Sequence, residues 1–306
     1  MTLAVISHSD CLLHENFSGH PERPQRLSAI NDQLISSGLD AVLRHVDAPL
    51  ATREQLLRAH SEGYVDDVFA RSPKQGSVEL DPDTMMSPHS LQAALRAAGA
   101  GIKALDLVFA GEVQSAFCSV RPPGHHAGKD FAMGFCIFNN VAVAAAHALD
   151  HYQLERVAIV DFDVHHGNGT ENIFSQEPRV LFCSSFQHPF YPHSGHQSTD
   201  NHMVSALLAS GSGGDEFKAK IQASWLPALH EFKPQLVLIS AGFDGHIEDD
   251  MAELNLTEAD FSWITEQIKV IADTYAEGRM VSFLEGGYAL SALGRSVVAH
   301  LKAMMG

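Results

Sequence analysis

Six short apolar runs punctuate the 306-residue chain, at residues 3–6, 116–120, 157–162, 180–183, 236–240 and 280–284. They are rich in Val, Ile, Leu and Phe with little polar alternation, the pattern of strands covered on both faces. Between them the apolar residues recur at helical spacing. Leu91, Leu95, Ala98, Ile102, Leu105 and Phe109 form one helical face, with Ser87 read as its N-cap and Pro88 as its first residue. Phe261, Ile264, Ile268, Ile271 and Tyr275 form another, capped by Thr257 and stopped at Gly278. A terminal helix is expected near residues 290–305. This alternation predicts an α/β fold with a mostly parallel central sheet and helices on both faces. No repeat and no Pro/Gly/Ser-rich linker interrupts the pattern, which predicts a single domain over residues 1–306.

In such sheets ligands bind beyond the carboxyl ends of the strands. A polar motif therefore gains weight when it directly follows a strand. The run at 157–162 leads into Asp161-Phe-Asp163-Val-His165-His166-Gly-Asn168. In extended chain, residues two apart share a face, so Asp161, Asp163 and His165 point the same way. A cluster of unpaired carboxylates is costly, and a divalent metal relieves that cost. Asp and His donors suit zinc or a related first-row ion. The run at 236–240 ends in Gly242-Phe243-Asp244, and Asp244 could supply a third ligand. Two Asp and one His leave a coordination position open, as catalytic zinc sites do.

The run at 116–120 leads into Arg121-Pro122-Pro123-Gly124-His125-His126. Counting both imidazoles as ligands would crowd an open tetrahedral centre, so they read better as proton-transfer groups beside the metal. Each then needs an acceptor on its second ring nitrogen, and Asp161 and Asn168 are the candidates. The last run ends in Glu285-Gly286-Gly287-Tyr288, where the glycines turn the chain and a phenol can reach a developing oxyanion. Phe135, within Gly134-Phe135-Cys136, and Phe190-Tyr191 are candidate walls of a narrow channel.

Composition narrows the partners. The chain has 37 acidic and 20 basic side chains, a net charge of −17. A nucleic-acid footprint would be basic, so that partner is excluded, whereas a lysine-bearing peptide or a polyamine would be attracted. The four cysteines form no CxxC pair, against a disulfide framework or cysteine zinc knuckle. The start of the chain lacks a basic signal-peptide region, and the longest apolar stretch is too short to span a bilayer. A cytoplasmic protein without membrane contact is expected.

Taken together, these motifs resemble the histone deacetylase superfamily, most closely its class II and bacterial histone-deacetylase-like amidohydrolase branch. The resemblance rests on HPERP at 20–24, RPPGHHA at 121–127, GFCIFNN at 134–140, DFDVHHGNG at 161–169, AGFDGH at 241–246 and LEGGY at 284–288. These span nearly the whole chain in the family's order. The resemblance implies the arginase/deacetylase fold and one catalytic Zn²⁺ held by Asp163, His165 and Asp244. It implies His126 as general base and then acid, His125 as its electrostatic partner, Asp161 paired with His125, and Asn168 with His126. It gives Tyr288 the acyl carbonyl and makes Phe135 and Tyr191 the flanks of an acyl-lysine channel, with Gly134, Gly287 and Met251 beside it. It places Arg23 at an internal cavity and a structural K⁺ near Asp161, Asp163, His165 and Ser184.

Some positions depart from the family pattern. Phe162 replaces a frequent Trp, and His193-Ser194-Gly195 stands where Gly-Thr-Gly is common. The family's rim carboxylate has no clear match, since Asp83 is nearby but the register puts Met86 closer. Polyamine-selective relatives carry a Glu seven residues after the metal Asp, where this chain has Met251. The expected activity is therefore zinc-dependent removal of acetyl or other acyl groups from acyl-lysine, with acetylpolyamine hydrolysis as the alternative substrate reading. A non-catalytic protein of this fold should have lost a ligand or the tyrosine, and neither is missing. An arginase-like two-metal site would need a further carboxylate after His165, where His166-Gly follows instead.

Overall fold

The computed structural model describes residues 2–196 and 202–306. Its strands are β1 Leu3–Ser7, β2 Arg44–Asp47, β3 Val78–Asp81, β4 Thr84–Met86, β5 Ser115–Cys118, β6 Val157–Asp161, β7 Val180–Gln187, β8 Met203–Leu208, β9 Leu236–Ala241 and β10 Met280–Leu284. Eight form one sheet in the order β2-β1-β5-β10-β9-β6-β7-β8, with every neighbouring pair parallel. β3 and β4 make a separate antiparallel hairpin. All six apolar runs became inner strands, and the residues of β5, β6, β7, β9 and β10 are buried throughout. The edge strand β2 reads Arg-His-Val-Asp and is largely exposed, so it carries no apolar signature to find.

The helices are α1 Gln25–Ser36, α2 Arg53–Leu56, α3 Glu62–Arg71, α4 Ser90–Phe109, α5 Asn140–Asp150, α6 Asn168–Phe174, α7 Gly214–Phe232, α8 Glu258–Tyr275 and α9 Leu290–Met305. α1 and α8 both pack on α9 and α4 packs on α5, while both α4 and α9 touch β5. The sheet is thus flanked on both sides, and one contiguous hydrophobic cluster runs through it. Thr257 caps α8 in a reciprocal box with Asp260, and Gly278, at φ +76°, turns the chain out of it. Ser87 does not cap α4. The helix begins at Ser90, whose hydroxyl accepts the Ser87 N–H at 2.7 Å, so the chain turns before the helix instead of entering it at Pro88.

Two late strands, β9 and β10, insert between β5 and β6. The loops leaving the carboxyl ends of β5, β10, β9 and β6 therefore lie side by side, the crevice in which open α/β sheets bind ligands. The β5 loop is pinned from outside by buried His60. Its Nε2 accepts the Asn139 N–H at 2.9 Å and its Nδ1 donates to the Gly128 carbonyl at 2.9 Å.

Burial pushes the His60 imidazole down from 6.5 to about 4. Because the folded value lies below the unfolded one, its contribution is whole above pH 6.5 and is lost as pH falls toward 4, on the order of 3 kcal/mol in all. The stability gap between wild type and His60→Gln should accordingly shrink between pH 7.5 and pH 4.5 in denaturant unfolding. A gap independent of pH would refute the assignment.

Candidate active site

The loop after β5 carries His125 and His126 as neighbours, ring centroids 4.0 Å apart. Glu285, just past β10, fixes this loop from below. One of its carboxylate oxygens accepts the N–H groups of Gly124 at 2.7 Å and His125 at 3.1 Å, and the other accepts the Ser240 hydroxyl at 3.3 Å. His125 Nδ1 lies 2.9 Å from Asp161 Oδ2, and His126 Nδ1 lies 2.6 Å from Asn168 Oδ1. Asn168 Nδ2 donates to the Met133 sulfur at 3.3 Å, which leaves Oδ1 as the acceptor toward His126. His126 is thereby protonated on Nδ1, and its Nε2 carries the free lone pair.

The two imidazoles have opposite proton affinities. Burial disfavours charge on His125, but Asp161 and Asp163 outweigh it and lift the group to about 10. His126 is held well below the ordinary histidine value by burial, then by the neighbouring charges of His125 and His165. A cationic, carboxylate-anchored ring thus sits beside a neutral one whose lone pair is available, as a base-and-partner pair requires.

Asp163, His165 and Asp244 converge from the ends of β6 and β9, with their potential ligand atoms all within 4.8 Å of one another. All three are buried. His165 Nδ1 is 3.0 Å from Asp163 Oδ1 and 3.3 Å from Asp244 Oδ2, and that second oxygen makes no hydrogen bond. Burial opposes ionisation of Asp163, yet the charges of His125 and His165 hold it well below the usual carboxylate range. Burial, and then the charge of Asp163, push Asp244 up to about 6.

Space at this cluster is reserved by glycine. A Cβ on Gly242 would stand 2.0 Å from Asp163 Oδ2, and one on Gly286 would stand 2.0 Å from Asp244 Oδ2. A buried orphan oxygen, two close carboxylates and an imidazole fit a first-row divalent ion. Among the described residues this is the one such cluster. His166 is committed elsewhere, to Ser184 Oγ at 3.0 Å and Glu171 Oε2 at 2.8 Å.

A cavity of about 230 Å³ opens over the cluster, lined by His125, His126, His165, Phe135, Tyr191, Met251 and Tyr288 among others. Gly134 lines the cavity, whereas Gly286, not Gly287, is the glycine of the β10 turn that does so. Gly134, at φ +57°, lies flat against His126, where a Cβ would come within 2.3 Å of the ring. Phe135 follows it with φ 68°, a costly conformation for a side-chain-bearing residue, and its N–H is held by Thr84 Oγ1 at 3.1 Å. Gly287 takes φ +120° and swings Tyr288 toward the cavity. Burial raises the Tyr288 phenol well above its ordinary value, keeping it a donor.

Two expectations need correction. Asp83, not Met86, is the residue of the β3–β4 hairpin that lines the cavity; it accepts the Gly134 N–H at 3.0 Å and lies 3.4 Å from the Tyr191 hydroxyl. Met86 is fully buried instead, paired with Val78 at the far end of β4, while Asp83 stands in the β3–β4 turn. Arg23 is exposed and reaches no internal cavity. The buried arginine is Arg26, one helical turn beyond Glu22, with Nε donating to the Gly287 carbonyl at 2.7 Å and a second nitrogen to the Glu285 carbonyl. Its guanidinium sits 4.9 Å from the Tyr288 ring centroid. Arg121 joins it on Glu22, whose carboxyl stays well below the usual range despite complete burial because Arg121 and His14 flank it. The i, i+4 spacing of Glu22 and Arg26 at the start of a helix was the available signal for this network.

Substituting Gly242→Ala should displace the Asp163 carboxylate and cut bound divalent metal by on the order of 10-fold or more. Elemental analysis against wild type measures it, and undiminished loading would disprove the cradle.

The histone deacetylase domain profile matches residues 20–304. The histone deacetylase-like amidohydrolase of Pseudomonas aeruginosa is 38% identical over 279 residues, covering 89% of this chain and 73% of that one. The human polyamine deacetylase HDAC10 is 35% identical over 327 residues, which is all of this chain and 48% of that protein. The solved HDA15 HD domain superposes with a TM-score of 0.93 at 36% identity, covering 99% of this chain and 89% of that structure. Matched along nearly its whole length in sequence and in fold, the chain belongs to the histone deacetylase family of amide-hydrolysing deacetylases.

Proposed function

We propose that the protein is a zinc-dependent deacylase of acyl-lysine side chains, acting as a single catalytic unit with one Zn²⁺. The observation that carries this reading is the buried cluster of Asp163, His165 and Asp244 joined, through His165, to one cavity lined also by His126, Tyr288 and Met251. A zinc ion held by Asp163, His165 and Asp244 supplies Lewis acidity toward the amide carbonyl and acidifies the attacking water.

The chain's own groups do the rest. His126 Nε2 takes the water proton as the oxygen–carbon bond forms. Tyr288 donates its hydroxyl to the oxyanion that develops on the former carbonyl. His125, kept cationic by Asp161, limits the basicity of His126, so that the imidazolium returns its proton to the departing nitrogen. The carbon–nitrogen bond breaks, giving a carboxylic acid and a free amine. Phe135 and Tyr191 exclude water from the aliphatic stem of the substrate.

A structural K⁺ belongs to the same proposal. Asp161 and Ser184 are buried partners across the β6–β7 ladder, and with Asp163 and His165 they would hold it. Four free, buried cysteines suit a reducing cytoplasm, and no helix among the described residues is long and apolar enough to cross a membrane.

Acetylpolyamine is the rival substrate, favoured by the Asp83 carboxylate in the channel lining. Met251 favours lysine, because it presents a thioether and no charge to a distal ammonium.

Tyr288→Phe should lower kcat by about 10²–10³-fold, the loss of one oxyanion donor. Full activity in that variant would exclude the assigned role. Chelation should abolish turnover, and reconstitution should restore it at one zinc per chain. Comparing kcat/KM on acetyl-lysine peptides and acetylspermidine settles the substrate. A preference for acetylspermidine would overturn the lysine reading and leave the chemistry intact.

A further inference from the structure

The loop that leaves β9 carries a second carboxylate, Asp249, that is not part of the metal-ligand cluster. It is 6% exposed, and both of its oxygens are spent on backbone. Oδ2 accepts the N–H of Tyr288 at 2.6 Å and of Ala289 at 2.9 Å. Oδ1 accepts the N–H of Met251 at 3.1 Å. The Asp249 N–H itself donates to the His246 carbonyl at 2.8 Å, so the side chain leaves a closed turn.

These contacts fall where the chain is otherwise weakly fixed. Gly287, at φ +120°, adopts a conformation open to few residues, and α9 begins only at Leu290, with no side chain capping it from Ala289. Tyr288 lies between these two features and is only half-buried. Arg26 holds the Gly287 carbonyl on one side, and Asp249 holds the Tyr288 N–H on the other. A negative group at this point also complements the amino-terminal end of α9. A carboxylate with two acceptor oxygens meets three N–H donors here. An amide offers a single acceptor oxygen and would turn its NH₂ toward one set of them.

We propose that Asp249 is the positioning residue for Tyr288, setting where the phenol stands over the acyl carbonyl and tying it, through the Met251 N–H, to the channel wall. The proposal rests on the acyl-transfer reading of the site. It also assigns a physical reason for the placement of Asp249 five residues after Asp244: one loop delivers a metal ligand, the anchor of the oxyanion donor and a wall residue.

The test is a double-mutant cycle. Asp249→Asn should lower kcat on an acetyl-lysine peptide by about 10–100-fold while KM moves less than about 3-fold, because the contact acts on the geometry of the transition state. Added to Tyr288→Phe, it should cost nothing further, since the hydroxyl it positions is gone. Asp249→Ser, which removes the bulk and keeps a hydroxyl acceptor, should behave in the same direction and serves if the Asn variant unfolds. Asp250→Asn, at the exposed neighbour, should match wild type. Labelling the five tyrosines with 3-fluorotyrosine gives a readout that needs no turnover. The ¹⁹F resonance that vanishes in Tyr288→Phe should shift in Asp249→Asn while the others stay. Losses that multiply in the double variant, a loss confined to KM, or an unmoved Tyr288 resonance would each overturn the proposal. If wild type hydrolyses neither acetyl-lysine nor acetylpolyamine, the activity reading fails, and the ¹⁹F shift still decides the role of Asp249.

Discussion

Two buried carboxylates, Asp163 and Asp244, are forced together at the ends of adjacent regions of one sheet, and the rest of the site answers to that repulsion. At about 4 Å, like unit charges repel by about 4 kcal/mol even with an effective dielectric near 20. Several features absorb the cost. His165 lies between the two, the Gly286 N–H donates to Asp163 Oδ2 at 2.8 Å, and the Val164 N–H donates to Asp244 Oδ1 at 3.0 Å. Glycines at 242 and 286 let the backbone come this close. A dication would complete the balance, which is why the orphaned Asp244 oxygen matters more than any single distance. The same concentrated negative charge raises His125, whereas His126 is held low by burial and by the neighbouring charges of His125 and His165.

Much of this was legible beforehand because burial on both sides leaves a strong mark. The runs that became β1, β5, β6, β7, β9 and β10 are apolar without interruption, and the chemistry-bearing residues come directly after four of them. The spacing of Asp161, Asp163 and His165 follows from strand geometry alone. Pairings between distant residues, such as His125 with Asp161, needed the family resemblance. The edges were silent: β2 is polar, and the β3–β4 hairpin is short and half-exposed.

Errors arose where one residue of register changes the meaning of a position. Arg23 lies between Pro21 and Pro24 and Arg26 just after them, and only the helical turn beginning at Gln25 decides which of them faces inward. Asp83 stands in the turn and Met86 at the end of β4, in a hairpin with an irregular register between Glu79 and Asp81, so strand alternation could not choose between them. Asp249 and Glu285 left no trace, because an acidic residue in a loop usually meets water. Their partners are backbone N–H groups, which every residue but proline has and no sequence pattern advertises.

Arg26 and the Gly287 carbonyl it binds are 261 positions apart, and Asp163 receives its hydrogen bond from Gly286 across 123. β10 enters the sheet between β5 and β9 only after every other strand has been made. A chain emerging from the ribosome therefore presents Asp163, His165 and Asp244 for a long interval without the strand that encloses them. During that interval the carboxylates and imidazoles are open to water and to any passing cation. A metal ion held there would be enclosed only at the closing step, when β10 and the loop after it lock a pocket begun much earlier.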